Sequence, residues 1–221
     1  MQLTAGMATD VGRVRHDNED CALVGAHVFA VADGMGGHAA GEVASALAVA
    51  ALRDLDATPA RRVGDVQRAL EEANDAMLAE GATDPGKRGM GTTATGIAMV
   101  DVLGQAHWAV FNIGDSRVYR LFDGDLARLT TDHSRGHVLT RSLGVDRIPT
   151  PDLLVMPPAA GERFLMCSDG LTDELDDAEI AHVLSRIAEP GVAADELVRR
   201  AVEAGGRDNA TAVVVDVAVP R

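Results

Sequence analysis

The chain has 221 residues, 47% of them apolar, with 20 basic against 34 acidic side chains and a formal net charge of −14. Such a balance supports a sizeable core but excludes a nucleic-acid groove or an anionic membrane as the partner, since both require a basic face. The Ala-rich run from Val43 to Leu52 is too short to span a bilayer.

Taken in chain order, the opening residues MQLTAGMATDVGRVRHDNED are polar where a secretory signal needs an apolar block, so a cytoplasmic protein is expected. Strands are predicted at Cys21–Val24 and Val28–Val31, followed by helices at Ala39–Leu55 and Val63–Glu80. A long run of strands comes next: Thr93–Val100, Gln105–Ile113, Arg117–Leu121, Leu126–Leu129, Leu153–Met156 and Arg163–Cys167. Asp123-Gly124 marks a tight hairpin between two of them. Helices at Asp177–Arg186 and Ala193–Ala204 and a last strand at Ala212–Val217 complete the chain. Helices come in two pairs with the strands grouped between, without steady β-α-β alternation, which favours an antiparallel α+β layering. No repeat or Pro/Ser-rich linker divides the sequence, so residues 1–221 are read as one domain. Cys21 and Cys167 sit in apolar runs without a C-x-x-C pair, which suits buried thiols in a reducing compartment.

Most of the acidic residues suit a solvated surface, but four aspartates stand in apolar, Gly-rich surroundings where an uncompensated carboxylate is costly. Asp33 ends the run Ala30-Val31-Ala32-Asp33-Gly34-Met35-Gly36-Gly37-His38. Asp169 follows the strand Phe164-Leu165-Met166-Cys167-Ser168, Asp115 follows Asn112-Ile113-Gly114, and Asp208 lies in Gly205-Gly206-Arg207-Asp208-Asn209 before the final strand. One strand-end aspartate is often only a turn former, whereas four attached to strong strands suggest one metal cluster with all-oxygen ligation, hence Mg²⁺ or Mn²⁺ and not Zn²⁺. Near the start, Arg13 and Arg15 precede the polar cluster His16-Asp17-Asn18-Glu19-Asp20; beside a metal, an arginine there would grip a phosphoryl group through two parallel hydrogen bonds.

The strings VRHDNED, ADGMGGHAAGEVAS, GMGTTATG, IGDSRVYRLFDGDL, LTTDHS with LTRSLG, CSDGLTDEL and GGRDNATAVVV resemble, in that order, the motifs of bacterial protein phosphatase 2C enzymes. The resemblance covers nearly the whole chain. It implies an α-β-β-α fold, a central β-sandwich of two antiparallel sheets flanked by pairs of antiparallel helices, with metals at one edge. It implies metal ligation by Asp33, the Gly34 carbonyl, Asp169 and Asp208, and a third metal held by Asp115 with Asp169. Arg15, four residues before Glu19, becomes the phosphate-gripping arginine, and Glu19 with Asp20 orders metal-bound water. The implied reaction is hydrolysis of phosphoserine or phosphothreonine in proteins: a hydroxide bridging two Mg²⁺ or Mn²⁺ ions attacks phosphorus in line, with no covalent phosphoenzyme. His38 is the candidate acid for the leaving alkoxide, since Met35 stands where animal-type members have histidine. A phosphorylated protein substrate is implied, with a serine/threonine kinase as a further partner, and the chain is expected to act as a monomer.

The resemblance also implies a flap of short helices between the DHS and LTRSLG motifs. Here only Arg135, Gly136, His137 and Val138 separate Ser134 from Leu139, so the flap is expected to be missing. Rival readings fare worse. Gly81 to Arg88 nearly spells a P-loop, but Arg88 replaces the metal-binding hydroxyl and the glycines follow a helix. Neither cysteine has the arginine six residues on that a cysteine phosphatase needs. A non-catalytic phosphoprotein-binding scaffold would be expected to have lost the metal carboxylates.

Overall fold

The computed structural model describes residues 1–36, 40–136, 138–145 and 150–218. Its strands are β1 (Gln2–Asp10), β2 (Asp20–Val24), β3 (Val28–Met35), β4 (Gly91–Thr92), β5 (Ala94–Val102), β6 (Gln105–Ile113) and β7 (Arg117–Phe122). They continue with β8 (Asp125–Arg128), β9 (Ser134–Arg135), β10 (Val138–Leu139), β11 (Asp152–Met156), β12 (Arg163–Cys167) and β13 (Ala210–Ala218). The helices are α1 (Ala40–Ala57), α2 (Val63–Thr83), α3 (Asp169–Thr172), α4 (Asp177–Arg186) and α5 (Pro190–Ala204).

Two antiparallel sheets form, ordered β11-β6-β5-β3-β2 and β1-β13-β12-β7-β8. Alternation along the strands explains why they stack. Phe29, Val31, Ile97, Trp108 and Val110 from the first sheet meet Val118, Phe164, Met166, Val213 and Val215 from the second in one buried layer. Trp108 and Phe164 pack edge to face there, with ring centroids 5.5 Å apart. The opposite faces are covered by helices. Ala44, Leu52, Leu70 and Met77 of α1 and α2 pack on Ala30, Ala98 and Phe111. Ile180, Leu184, Leu197 and Ala201 of α4 and α5 pack on Leu165, Cys167 and Val214. The result is the α-β-β-α layering expected from the sequence.

Local chemistry accounts for the boundaries. Asp123 and Gly124 both adopt positive φ, 52° and 88°, the geometry of the two-residue hairpin joining β7 to β8. Asp176 caps α4, accepting from the Glu179 amide at 2.9 Å while Glu179 answers back to the Asp176 amide at 3.0 Å. At the end of α1, the Asp56 carboxylate accepts the backbone amides of Ala26, His27 and Val28 at 2.9, 2.7 and 2.8 Å, tying that helix to the β2–β3 turn. Loss of these charge-assisted bonds in Asp56→Ala should cost about 2 kcal/mol. A urea-midpoint shift equivalent to less than a few tenths of that would refute the role.

The strands β1 and β4, the β9–β10 hairpin and the short helix α3 are elements the sequence expectation did not include, while the lack of a helix just after Asp132 is as expected. The polar opening residues form β1, a nine-residue strand paired with β13 from Gln2↔Ala218 to Asp10↔Ala210. Its register, not an apolar run, holds it in place. The segment between Asp132 and Leu143 contains no helix among the described residues; β9 and β10 form a minimal hairpin there, with Arg135 opposite Val138 and Ser134 opposite Leu139. No described helix is long and apolar enough to cross a membrane.

Candidate active site

The sheet register brings the candidate carboxylates together. Asp20 at the start of β2 pairs with Asp33 near the end of β3, while Cys167 at the end of β12 sits opposite both Arg117 and Ala212. Chain reversal thus places the end of β3, the β6–β7 turn, the β12–α3 junction and the start of β13 at one edge of the sandwich. A cavity of about 830 Å³ opens there, lined by Arg15, Glu19, Asp33, Gly34, Asp115, Asp169 and Asp208. Seven of the nine predicted site residues therefore share one wall-to-wall space. Asp20 lies behind it, and His38 falls outside the described residues.

Hydrogen bonds and close packing fix the segments that carry several of these residues. Asp33 is clamped through its backbone: its amide donates to Thr93 Oγ1 at 2.9 Å, and its carbonyl accepts from Thr92 Oγ1 at 2.8 Å and from the Thr93 amide at 2.9 Å. Gly34 has no room for a side chain, since a Cβ would collide with the carbonyl oxygens of Gly41 and Glu19. Asn209 staples the N-terminal segment to β13. Its Nδ2 donates to the Val11 and Asp17 carbonyls, both at 3.0 Å, and its Oδ1 accepts the Glu19 amide at 2.8 Å. Asp20 Oδ2 accepts from Ser168 Oγ at 2.8 Å and Thr211 Oγ1 at 2.6 Å, while its buried Oδ1 has no protein partner.

The electrostatics are those of crowded anions. Burial, then the charges of Asp20, Asp169 and Asp208, raises the Asp33 carboxyl well above its ordinary range. Burial also raises Asp169, and raises Asp20 to about 7 and Asp115 to about 6. The charge of Asp169 is among the causes that raise Asp33, so these crowded carboxyls favour their protonated form unless a cation compensates. Arg15 Nη2 pairs with Asp208 Oδ2 at 2.6 Å; both side chains are well exposed, and the pair contributes at most about 1 kcal/mol.

Sequence reasoning missed several wall residues. Asp173 lines the cavity one turn beyond Asp169, its amide bonded to the Asp169 carbonyl at 2.7 Å. The i,i+4 spacing in Asp169-Gly170-Leu171-Thr172-Asp173 was the available signal. Arg117 and Asp132 also line it, joined by a guanidinium–carboxylate pair with Nη2–Oδ2 at 2.8 Å.

The donor set fits hard divalent cations. It is all oxygen, it crowds carboxyls whose charges oppose one another, and it has an unpartnered buried oxygen behind it. Among the described residues no three His, Cys, Asp or Glu side chains close as a ready-made cage. Cys167, fully buried behind this edge, has its thiol pushed up to about 12 by burial and is no nucleophile.

A carboxylate-lined cavity thus opens at the edge of an α-β-β-α sandwich. The family profile "Protein phosphatase 2C" matches residues 8–202, and the chain belongs to the protein phosphatase 2C family. Its curated relatives include the serine/threonine protein phosphatase PstP of Mycobacterium tuberculosis, 39% identical over 95% of this chain. They also include the serine/threonine phosphatase stp of Listeria monocytogenes, 32% identical over 96% of this chain. The chain spans 44% of the length of the former and 95% of the latter. The crystal structure of the PstP catalytic domain in complex with two manganese ions has a TM-score of 0.91 and 37% identity, covering 98% of this chain and 99% of that one.

Proposed function

We propose that this chain hydrolyses phosphoserine and phosphothreonine in proteins, using Mg²⁺ or Mn²⁺ at the carboxylate-lined edge. The observation that carries the reading is the convergence of Asp33, Asp115, Asp169, Asp173 and Asp208 with Arg15 on one cavity. Asp33, the Gly34 carbonyl, Asp169 and Asp208 would hold two cations, and Asp115 with Asp169 would hold a third, with Asp173 beside them. Such cations, when bound, supply Lewis acidity that makes water a competent nucleophile near neutral pH and offset charge on the phosphoryl oxygens. Asp208 can exchange its exposed partner Arg15 for a cation at little cost, which frees the guanidinium to take two phosphoryl oxygens. Glu19 on the cavity wall and Asp20 behind it would help to order the waters around such cations. In-line attack forms the new phosphorus–oxygen bond as the bond to the serine or threonine oxygen breaks, and no protein–phosphate bond forms. The leaving alkoxide needs a proton, which we assign to His38 from its place after the glycine run.

The chain is read as one domain acting as a monomer in the cytoplasm, on phosphoproteins and alongside a serine/threonine kinase. Phosphate release from a phosphothreonine peptide should require Mn²⁺ and stop with EDTA; metal-independent release would refute the reading. Arg15→Ala should lower kcat/KM about 30-fold, the equivalent of about 2 kcal/mol for a charge-assisted bond. The same loss on the small substrate p-nitrophenyl phosphate would locate the effect on the phosphoryl group, and an unchanged kcat/KM on both substrates would remove Arg15 from the mechanism.

A further inference from the structure

The β6–β7 turn is Gly114-Asp115-Ser116, and Asp115 at its centre lines the cavity. Gly114 takes a positive φ of 111° and packs too closely on Thr93 for any side chain. Such a turn needs external partners for its backbone groups. One residue supplies them from both sides: the His133 amide donates to the Gly114 carbonyl at 2.9 Å, and the Gly114 amide donates to His133 Nδ1 at 3.2 Å. His133 is buried and is neither a cavity wall nor one of the predicted site residues.

Because Gly114 N–H donates to Nδ1, that nitrogen carries no proton, and the imidazole proton lies on Nε2. Nε2 donates to Asp152 Oδ2 at 3.0 Å. Asp152 is held in turn by Arg141 Nη1, at 2.7 Å from its other oxygen. The His133 carbonyl accepts the Thr140 amide at 2.7 Å, closing the short hairpin that rims the cavity. Buried Asn112 completes the support, donating to the Gly114 and Thr131 carbonyls at 3.1 and 3.0 Å.

We propose that His133 is a positioning residue: locked in its Nε2–H tautomer by Asp152, it holds Gly114 from both sides and so aims Asp115 into the cavity. It acts through Asp115 and touches no substrate. The inference rests on the reading of Asp115 as a cation ligand. It also explains how a chain with a minimal hairpin in place of a longer flap keeps this wall ordered, since the hairpin base, the edge strand β11 and the turn meet at one imidazole.

Two measurements test it. Proton–nitrogen correlation spectra of the wild-type imidazoles need no variant: His133 is expected as the Nε2–H tautomer, and an Nδ1–H tautomer overturns the proposal. The second is calorimetric titration with Mn²⁺ of three variants, with thermal melts to confirm folding. In His133→Asn the side-chain oxygen stands close to the place of Nδ1 and still accepts from Gly114. In His133→Gln the amide reaches the place of Nε2, keeping Asp152 but leaving Gly114 N–H without an acceptor. His133→Gln should weaken the weakest Mn²⁺ site about tenfold or more, with rescue by His133→Asn, and Asp115→Asn should lose the same site. If Asp115→Asn loses the ion while His133→Gln binds it as tightly as wild type, the positioning role is wrong. Should Asp115→Asn itself keep every ion, the assignment of Asp115 fails, and this inference with it.

Discussion

Asp169→Asn is expected to abolish Mn²⁺-dependent phosphate release, by about 10³-fold or more in kcat/KM, while making the metal-free protein harder to denature. The two effects have one cause. Asp169 is raised by burial and is pressed by the charges of Asp173 and Asp208. Removing its charge relieves that repulsion in the apo protein and deletes the anion that a dication would need. A variant that merely misfolds would lose activity and stability together, so urea denaturation in EDTA beside a phosphopeptide assay separates the cases. Asp33→Asn should behave alike, since the Asp33 carboxyl is raised by burial and by the same neighbours. If wild type and Asp169→Asn release phosphate at equal measurable rates, Asp169 is not part of the mechanism; if the folded wild type releases none with Mn²⁺, the scaffold reading, a phosphoprotein binder that does not turn its partner over, replaces the enzyme.

Much of this was legible in the sequence, because strong strands announce themselves and their ends carry the chemistry. Arg163–Cys167 and Asp177–Arg186 occupy the residues expected, and Asp33, Asp115, Asp169 and Asp208, each near a strand end, line one cavity. What stayed hidden depends on pairing across the chain. β1 has small and polar residues in place of an apolar run, and only its partner β13, about 200 residues away, makes it a strand. Thr92 and Thr93 read as ordinary strand residues, yet their hydroxyls clamp the Asp33 backbone. His133 lies in a motif quoted for its resemblance alone; its contact with Gly114 spans 19 residues that no periodicity connects. Asp173 was within reach, one helical turn from Asp169, but a four-residue helix leaves too short a pattern to read.

Acidification should stabilise the metal-free protein, the reverse of common acid denaturation, and the sign follows from the direction of the shifts. Asp20 and Asp115 hold their protons up to about 7 and about 6 in the fold, against an ordinary value of 3.8, and Asp33 and Asp169 are raised as well. A carboxyl raised in the folded state binds protons there more tightly than in the unfolded chain, so stability falls as pH rises from its unfolded to its folded value. Going from pH 7 to pH 5 should therefore increase unfolding free energy in EDTA, on the order of 3 kcal/mol before solvent screening is allowed for at the half-open Asp115. The opposing groups act elsewhere. Asp152, held down by His133 and Arg141, and Glu196, held at about 2 by Arg199 and Arg200, lose their stabilisation only at lower pH. Saturating Mn²⁺ must reverse the trend, because ions that bind deprotonated carboxylates compete with protons and stabilise the fold most where the carboxylates are ionised. Urea midpoints at pH 5, 6 and 7, with EDTA and with Mn²⁺, should thus give slopes of opposite sign. Parallel slopes would mean that the crowded aspartates do not hold the ions.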